Sequence, residues 1–485
     1  MRSTSLPPMS SFRRVAAAVL ALLGACGCSK GTVPVTPQSA LEGGLADGSA
    51  GALNDSGADA AESAGAPDVT APDAAQAELP FANLGHTEDV VRVWAGGNHV
   101  CWLLSAGVLN CTTENPANPD HQFTAEPCTL VPCNNQRLSV EGTFAVDLGA
   151  GGQIQQVVLG AAHACALLDG GRVKCWGAGG LLGLGDIETR GDQAGELGDA
   201  LPFLDFGTAQ PAVELAAGVH GDHTCARFAD GSIRCWGSNA YGELGLGDSK
   251  SRGDEPLEMG SRLPTVNLGT GASVIAIKAG SGSTCALLDG GNIKCWGNNN
   301  FGQLGLGDGL RRGAQSGEMG DALPSVQLGA GRTAVELSAG GWHYCARLDN
   351  GSTKCWGCNT EGQLGLGDTQ NRGDRPDQMG DMLPALDLGT GRQAVQLMSG
   401  GSHTCAVLNN TGLKCWGDNR HAQLGLGDLT SRGGAPNEMG DALPQVALGA
   451  RQPTTVALGF DFTCALLGDS SLHCWGAWSV LPNFP

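Results

Sequence analysis

Cysteine is the residue type in this chain with the most chemistry to offer. There are 19, and fourteen of them stand in pairs set ten apart: Cys101 with Cys111, Cys165 with Cys175, Cys225 with Cys235, Cys285 with Cys295, Cys345 with Cys355, Cys405 with Cys415, and Cys464 with Cys474. Thiols this numerous either bind metal or oxidise, because a reducing cytosol holds few such chains. From Cys165 to Cys405 the step between pairs is 60 residues every time, and no pair has zinc-site spacing. The spacing therefore predicts a ladder of disulfides, each joining the two arms of one hairpin. Cys128 and Cys133 lie close together and are expected to pair, which leaves Cys28 and Cys358 free or modified.

Three further residue series could do chemistry. His99, His163, His223, His343 and His403 each precede a ladder cysteine by two. A ring of metal ligands would need them within ~2.0–2.1 Å of one ion. Equivalent positions on successive repeats are too far apart for that, and Ser283 and Phe462 replace the histidine in two repeats. The expectation is a hydrogen bond to backbone within each repeat. Asp186, Asp248, Asp308, Asp368 and Asp428, with Asp199, Asp321, Asp381 and Asp441, recur in Gly-rich loops. Clustered carboxylates suit calcium, but Asp beside Gly is also ordinary turn chemistry. Arg-Gly-Asp begins at Arg190, Arg252 and Arg372; it arises from the repeat and is broken at Arg312 and Arg432. No Ser/His/Asp order, phosphate loop or nucleophile pair stands out.

The elements that position these residues follow from the same period. One unit reads LPTVNLG from Leu263, then ASVIAIKAGSGSTCALLDGGNIKCWG, then a long Gly-rich loop, before LPSVQLG begins again at Leu323. Openings of this type occur at 79, 201, 263, 323, 383 and 443, with a degenerate TFAVDLG at 143. Val266 and Leu268 alternate with polar neighbours, as strands do. Between Cys225 and Cys235 the turn Ala229-Asp230-Gly231 suits a three-residue hairpin loop. Gly231, like Gly171, Gly291 and Gly351, takes its left-handed position. Counting outward from the turn, the cysteines fall opposite each other as a non-hydrogen-bonded pair, with Cα atoms ~4.5 Å apart. Seven openings and seven hairpins predict an all-β, seven-bladed β-propeller of four short strands per blade over 79–485. Trp176, Trp236, Trp296, Trp356, Trp416 and Trp475 recur once per repeat and are expected to anchor the core rather than stack on a ligand.

The run from Ala279 through Cys285-Ala-Leu-Leu-Asp-Gly-Gly291 to Trp296-Gly297 and Gly302-Gln-Leu-Gly305, with the His343 version of it, resembles the repeat of the regulator of chromosome condensation family. The resemblance covers 79–485 and implies the seven-bladed fold. Its founding member is a guanine-nucleotide exchange factor for a small GTPase. That activity belongs to loop residues and a tail with no counterpart found here, so exchange activity is not expected. Two departures stand out: the cysteine ladder, and an added loop segment of type RGDxPxxMGDxLP.

The first 25 residues have a basic start (Arg2, Arg13, Arg14) and a short apolar run from Val15 to Leu23, too short to span a bilayer. Leu23-Gly-Ala-Cys26 resembles a bacterial lipobox, which implies a cleaved signal and a lipid on Cys26. Gly27 in the next position favours the outer membrane by the same resemblance. Residues 26–78 form a linker whose 31–78 stretch holds eight acidic residues and no Lys or Arg; nothing there can build a core, so disorder is expected. The formal charge of −20 argues against nucleic acid and against anionic lipid heads. No cofactor is implied. The function these features point to is a non-catalytic, lipid-anchored envelope scaffold that binds a protein or a surface polysaccharide through its loops. The alternative is a hydrolase-like envelope enzyme with its site on the loop face or in the central channel.

Overall fold

The computed structural model describes residues 89–112, 143–150 and 152–477. Cys26, Cys28, Cys128 and Cys133, the signal and the linker lie outside the described residues.

Seven antiparallel sheets follow one another along the chain. Blade 1 is Val90–Gly96, His99–Leu104, Leu109–Thr112 and Thr143–Val146. Blade 2 is Ile154–Leu159, His163–Leu168 and Arg172–Gly177; blade 3 is Ala212–Ala217, His223–Phe228 and Ile233–Gly237. Blade 4 is Val274–Ala279, Ser283–Leu288 and Ile293–Gly297; blade 5 is Ala334–Ala339, His343–Leu348 and Thr353–Gly357. Blade 6 is Ala394–Ser399, His403–Leu408 and Leu413–Gly417; blade 7 is Pro453–Leu458, Phe462–Leu467 and Leu472–Gly476. The first strands touch in ring order, and that of blade 1 meets that of blade 7. This is the propeller that the repeat predicts.

The strand count differs from expectation. Among the described residues only blade 1 has four strands; the others have three. The opening segment belongs to the preceding blade rather than the following one. Val266 N–H donates to the Ile233 carbonyl of blade 3 at 2.9 Å, and Val326 N–H to Ile293 of blade 4 at 2.8 Å. One hydrogen bond is too little pairing for a strand, because the Pro two residues earlier can donate none.

Middle strands are buried on both faces, as in Ser283–Leu288 and His403–Leu408, because each sheet is covered on either side by a neighbouring blade. Small residues let the sheets approach: Ala166, Ala226, Ala286, Ala346, Ala406 and Ala465 are fully buried. Trp176, Trp236, Trp296, Trp356 and Trp416 are also buried, and Trp475 nearly so.

The ladder cysteines are joined across each hairpin. Cys101 is bonded to Cys111, Cys165 to Cys175, Cys225 to Cys235 and Cys285 to Cys295. Cys345 is bonded to Cys355, Cys405 to Cys415 and Cys464 to Cys474. Their Cα atoms lie 4.0–4.1 Å apart, closer than the ~4.5 Å of an unbridged non-hydrogen-bonded pair. Gly231, at φ +79°, holds the left-handed turn position. Cys358 departs from expectation. It is buried and disulfide-bonded, and its partner lies outside the described residues. Pairing by nearness in sequence leaves it over, whereas the fold pairs by nearness in space.

Candidate binding face

In blades 2 to 6 the third strand ends in Gly and opens the long loop that precedes the next L-P segment. In five blades this loop folds back at once. Gly237 pairs with Arg252, Gly297 with Arg312, and likewise Gly177, Gly357 and Gly417 with Arg190, Arg372 and Arg432. Each of these arginines forms an ion pair with the aspartate four residues earlier: Asp186, Asp248, Asp308, Asp368 and Asp428, at 2.6–2.8 Å. The second carboxylate oxygen of Asp248 accepts the Lys250 N–H at 2.9 Å. Asn239 Nδ2 donates to the Asp248 and Lys250 carbonyls, and its Oδ1 accepts the Leu244 N–H. Successive loops are also joined: Gly185 N–H donates to the Gly253 carbonyl, Gly247 to Gly313, Gly307 to Gly373 and Gly367 to Gly433.

These contacts show where three series from the sequence lie. The first aspartate series is held by arginine and backbone, and no group of three or more potential metal ligands exists among the described residues. Asp199, Asp321, Asp381 and Asp441 instead accept backbone N–H groups of Ala150, Thr270, Ala330 and Thr390 at 2.8–3.0 Å. The arginines of Arg-Gly-Asp are loop braces, largely covered.

Four of the five histidines do something other than expected, whereas His99 keeps a backbone hydrogen bond to Thr112 of its own blade. His163 Nε2 meets Thr224 Oγ1 of the next blade at 2.7 Å, His223 meets Thr284 at 2.8 Å, His343 meets Thr404 at 2.8 Å and His403 meets Thr463 at 3.0 Å. These four link each blade to the next. Thr404 Oγ1 donates its proton to the Gln363 carbonyl at 2.9 Å. His343 Nε2 must therefore carry the hydrogen, which fixes the tautomer. The Gln363 carbonyl also accepts Trp416 Nε1 at 3.0 Å, so imidazole, hydroxyl, carbonyl and indole form one belt. Gly340 makes room for it: a Cβ there would lie 2.2 Å from His343 Cε1. Where blade 4 has Ser283 in place of His, the next blade has Tyr344 in place of Thr, and the two hydroxyls meet at 2.9 Å.

At the same end, loops from non-adjacent blades cross the mouth of the central channel. Gly97 N–H of blade 1 reaches the Val219 carbonyl of blade 3, Phe460 N–H of blade 7 donates to the Gly97 carbonyl, and the His220 and Phe460 rings lie 5.0 Å apart. Beside them burial pushes the Asp222 carboxyl up and the His220 imidazole down, and it pushes Glu243 up with Asp222 adding to the effect. Arg420 binds Asp418 at 2.8 Å. Sequence reasoning missed these groups. Their signal was departure from the chain's own repeat: Glu243 stands where Gln303, Gln363 and Gln423 stand elsewhere.

Four aliphatic side chains stand out from the braced loops: Ile187 at 73% exposure, Leu257 at 69%, Leu310 at 66% and Leu429 at 64%. Leu310 forms the lip of a shallow hollow with Arg311, Arg312, Gln315 and Glu318. At the hairpin end, a register shift in the first strand leaves Val213, Ile275, Val335 and Val395 about half exposed. No helix among the described residues is long and apolar enough to cross a membrane.

Family models for the regulator of chromosome condensation (RCC1) repeat match residues 154–180, 213–243, 274–303 and 334–363, and in a second form 230–287 and 350–407. The ultraviolet-B receptor UVR8 of Arabidopsis thaliana is 30% identical over 65% of this chain and 63% of its own length. The E3 ubiquitin-protein ligase HERC2 of Homo sapiens is 28% identical over 65% of this chain, which is only 6% of that protein. This chain thus spans less than two thirds of either relative. Among solved structures, Prp20p of Saccharomyces cerevisiae superposes with a TM-score of 0.56 over 80% of this chain and 82% of its own, at 17% identity. A likeness at that identity speaks for the fold alone. Seven blades in a ring make this chain a seven-bladed propeller, and the models matched within blades 2 to 6 show that it carries regulator of chromosome condensation repeats.

Proposed function

We propose that this protein is a lipid-anchored, non-catalytic scaffold of the bacterial envelope that binds another exported protein, or a surface polysaccharide, through the face formed by its long loops. The observation that carries this reading is the set of exposed aliphatic tips, Ile187, Leu257, Leu310 and Leu429, on loops braced by ion pairs and by each other. Apolar groups held rigidly in a polar rim are what protein interfaces use, since little entropy is lost on binding. The disulfide ladder supports an oxidising compartment. The lipobox at Cys26 supports the anchor. The relatives' photoreception and ubiquitin ligation belong to those proteins.

The test uses the mature full-length protein in detergent as bait for envelope extract. Ile187, Leu257, Leu310 and Leu429 are replaced together by serine, and Val335→Ser at the hairpin end is the control. The loop variant is expected to lose at least tenfold of its captured material and the control to keep it. Equal capture by both variants would remove the loop face from consideration.

A further inference from the structure

The long loop of blade 3 sets a leucine where the other loops set glycine, asparagine or aspartate. In the braced loops one side chain closes the turn that follows the Arg-Gly step. Glu258 Oε2 accepts the Gly253 and Glu255 N–H groups at 2.9 and 3.2 Å, and Glu196 and Gln378 hold the matching amides in blades 2 and 5. The residue just before that side chain is left-handed in every copy. Gly195 stands there at φ +89°, Gly317 at +85°, Asp377 at +68° and Asn437 at +65°, whereas blade 3 has Leu257 at +72°. Glycine, asparagine and aspartate tolerate this conformation; the Cβ of a leucine is crowded by its own backbone.

The fold draws no packing from Leu257 in return. The side chain is largely exposed, and the apolar contact of this loop with the core is made by Met259. An aliphatic group that strains the backbone and still stands in water marks a contact made outside the chain.

Its surroundings define the chemistry of that contact. The loop of blade 3 lies on that of blade 2: a Cβ at Gly185 would sit 3.6 Å from Pro256 Cα, and one at Gly180 would sit 3.7 Å from Asp254 Cβ and 3.8 Å from Ile187 Cγ2. Ile187, Pro256 and Leu257 are all exposed and belong to this pair of loops. Residues 186–200 and 248–262 hold nine carboxylates against four cations, and Arg190 and Arg252 are already paired. Burial pushes the Asp254 carboxyl up, and Glu258 and Glu255 beside it add to the effect. Apolar tips in an acidic rim complement apolar side chains flanked by lysine or arginine, and repel acidic surfaces.

We propose that Leu257 is the anchor by which the loop face holds a basic segment with apolar side chains on another exported protein. This rests on the loop-face reading above and names the chemistry of its partner.

The probe is a short dye-labelled peptide of alternating lysine and leucine, titrated by fluorescence anisotropy against the mature full-length protein in nonionic detergent. Leu257→Asn puts the residue of blade 6 into the turn of blade 3. It is expected to weaken peptide binding at least tenfold and to raise Tm by roughly 1–3 °C, because the strain is released. Leu257→Met, which stays apolar, is expected to keep the binding. A leucine–glutamate peptide and a lysine–serine peptide are each expected to bind at least tenfold more weakly than the lysine–leucine peptide. A Leu257→Asn variant that binds the lysine–leucine peptide as the natural protein does, or that melts lower, overturns the proposal. So does equal binding of the leucine–glutamate peptide, which would mean an occupant chosen by apolar contact alone, as a membrane surface is. If the fourfold serine variant loses its captured material while Leu257→Asn keeps the peptide, the anchor fails and the loop face stands; equal capture by that variant and its control removes both.

Discussion

Lowering the pH from 7 to 5 should unfasten this propeller through its buried histidines. Burial pushes His99, His163 and His403 down to about 4, and His223 and His343 to about 3, where a neighbouring histidine adds to the effect. Each ring therefore stays neutral in the fold and gains a proton only when the chain unfolds. Below pH 6.5 the unfolded chain binds more protons than the native one, so stability is complete above that value and declines as pH falls from 6.5 towards the folded values. At pH 5 each such histidine lies about 1.5 pH below its unfolded value, which costs roughly 2 kcal/mol. Five together approach the whole stability of an ordinary domain, about 5–15 kcal/mol. The assay is guanidinium unfolding, disulfides intact, followed by tryptophan fluorescence at both pH values. His343→Gln keeps a donor for Thr404 but cannot titrate. The natural protein should lose about 2 kcal/mol more than the variant between pH 7 and pH 5. Equal losses, to within about 0.5 kcal/mol, would show that the histidine belt does not set the acid limit.

Thr404→Ala leaves the buried His343 Nε2–H without its acceptor and should cost about 1–3 kcal/mol by the same unfolding assay, with Thr404→Ser recovering most of it. Cys285→Ser with Cys295→Ser opens one short loop worth about 2.7 kcal/mol in the chain-entropy model; it should lower Tm modestly and leave the near-ultraviolet circular dichroism intact, whereas full reduction should abolish the cooperative transition. Cys26→Ala should end labelling by a fatty-acid analogue and move the protein from the membrane to the soluble fraction; a variant that still labels and sediments refutes the anchor.

The hairpins were legible in the sequence because everything that specifies them is local. The ten-residue cysteine spacing, the Asp-Gly turn and the Trp-Gly close all lie within one strand pair, and the register Cys285↔Cys295 follows from them. The blade boundary was not legible. The L-P segment is held by one backbone hydrogen bond and by leucines that point into two clefts, and neither contact is visible along the chain. The histidine role failed for a related reason. His343 and Thr404 are one repeat apart, and their partnership shows only through the blade that breaks it, where Ser283 and Tyr344 have exchanged sizes. The exposed loop tips carry no periodic signal. They are positions at which each repeat differs from its neighbours.

The ladder also bears on how the protein is made. Every ladder bond joins a cysteine to a partner ten residues further on. On a chain that emerges N-terminus first, the second thiol of a hairpin appears while the next ladder pair is still some fifty residues behind. Contact across a loop of about ten residues forms in roughly 10–100 ns, far faster than thiols oxidise. An enzyme that simply oxidises thiols in their order of arrival therefore makes these bonds correctly. None of the ladder bonds then needs proofreading by a disulfide isomerase.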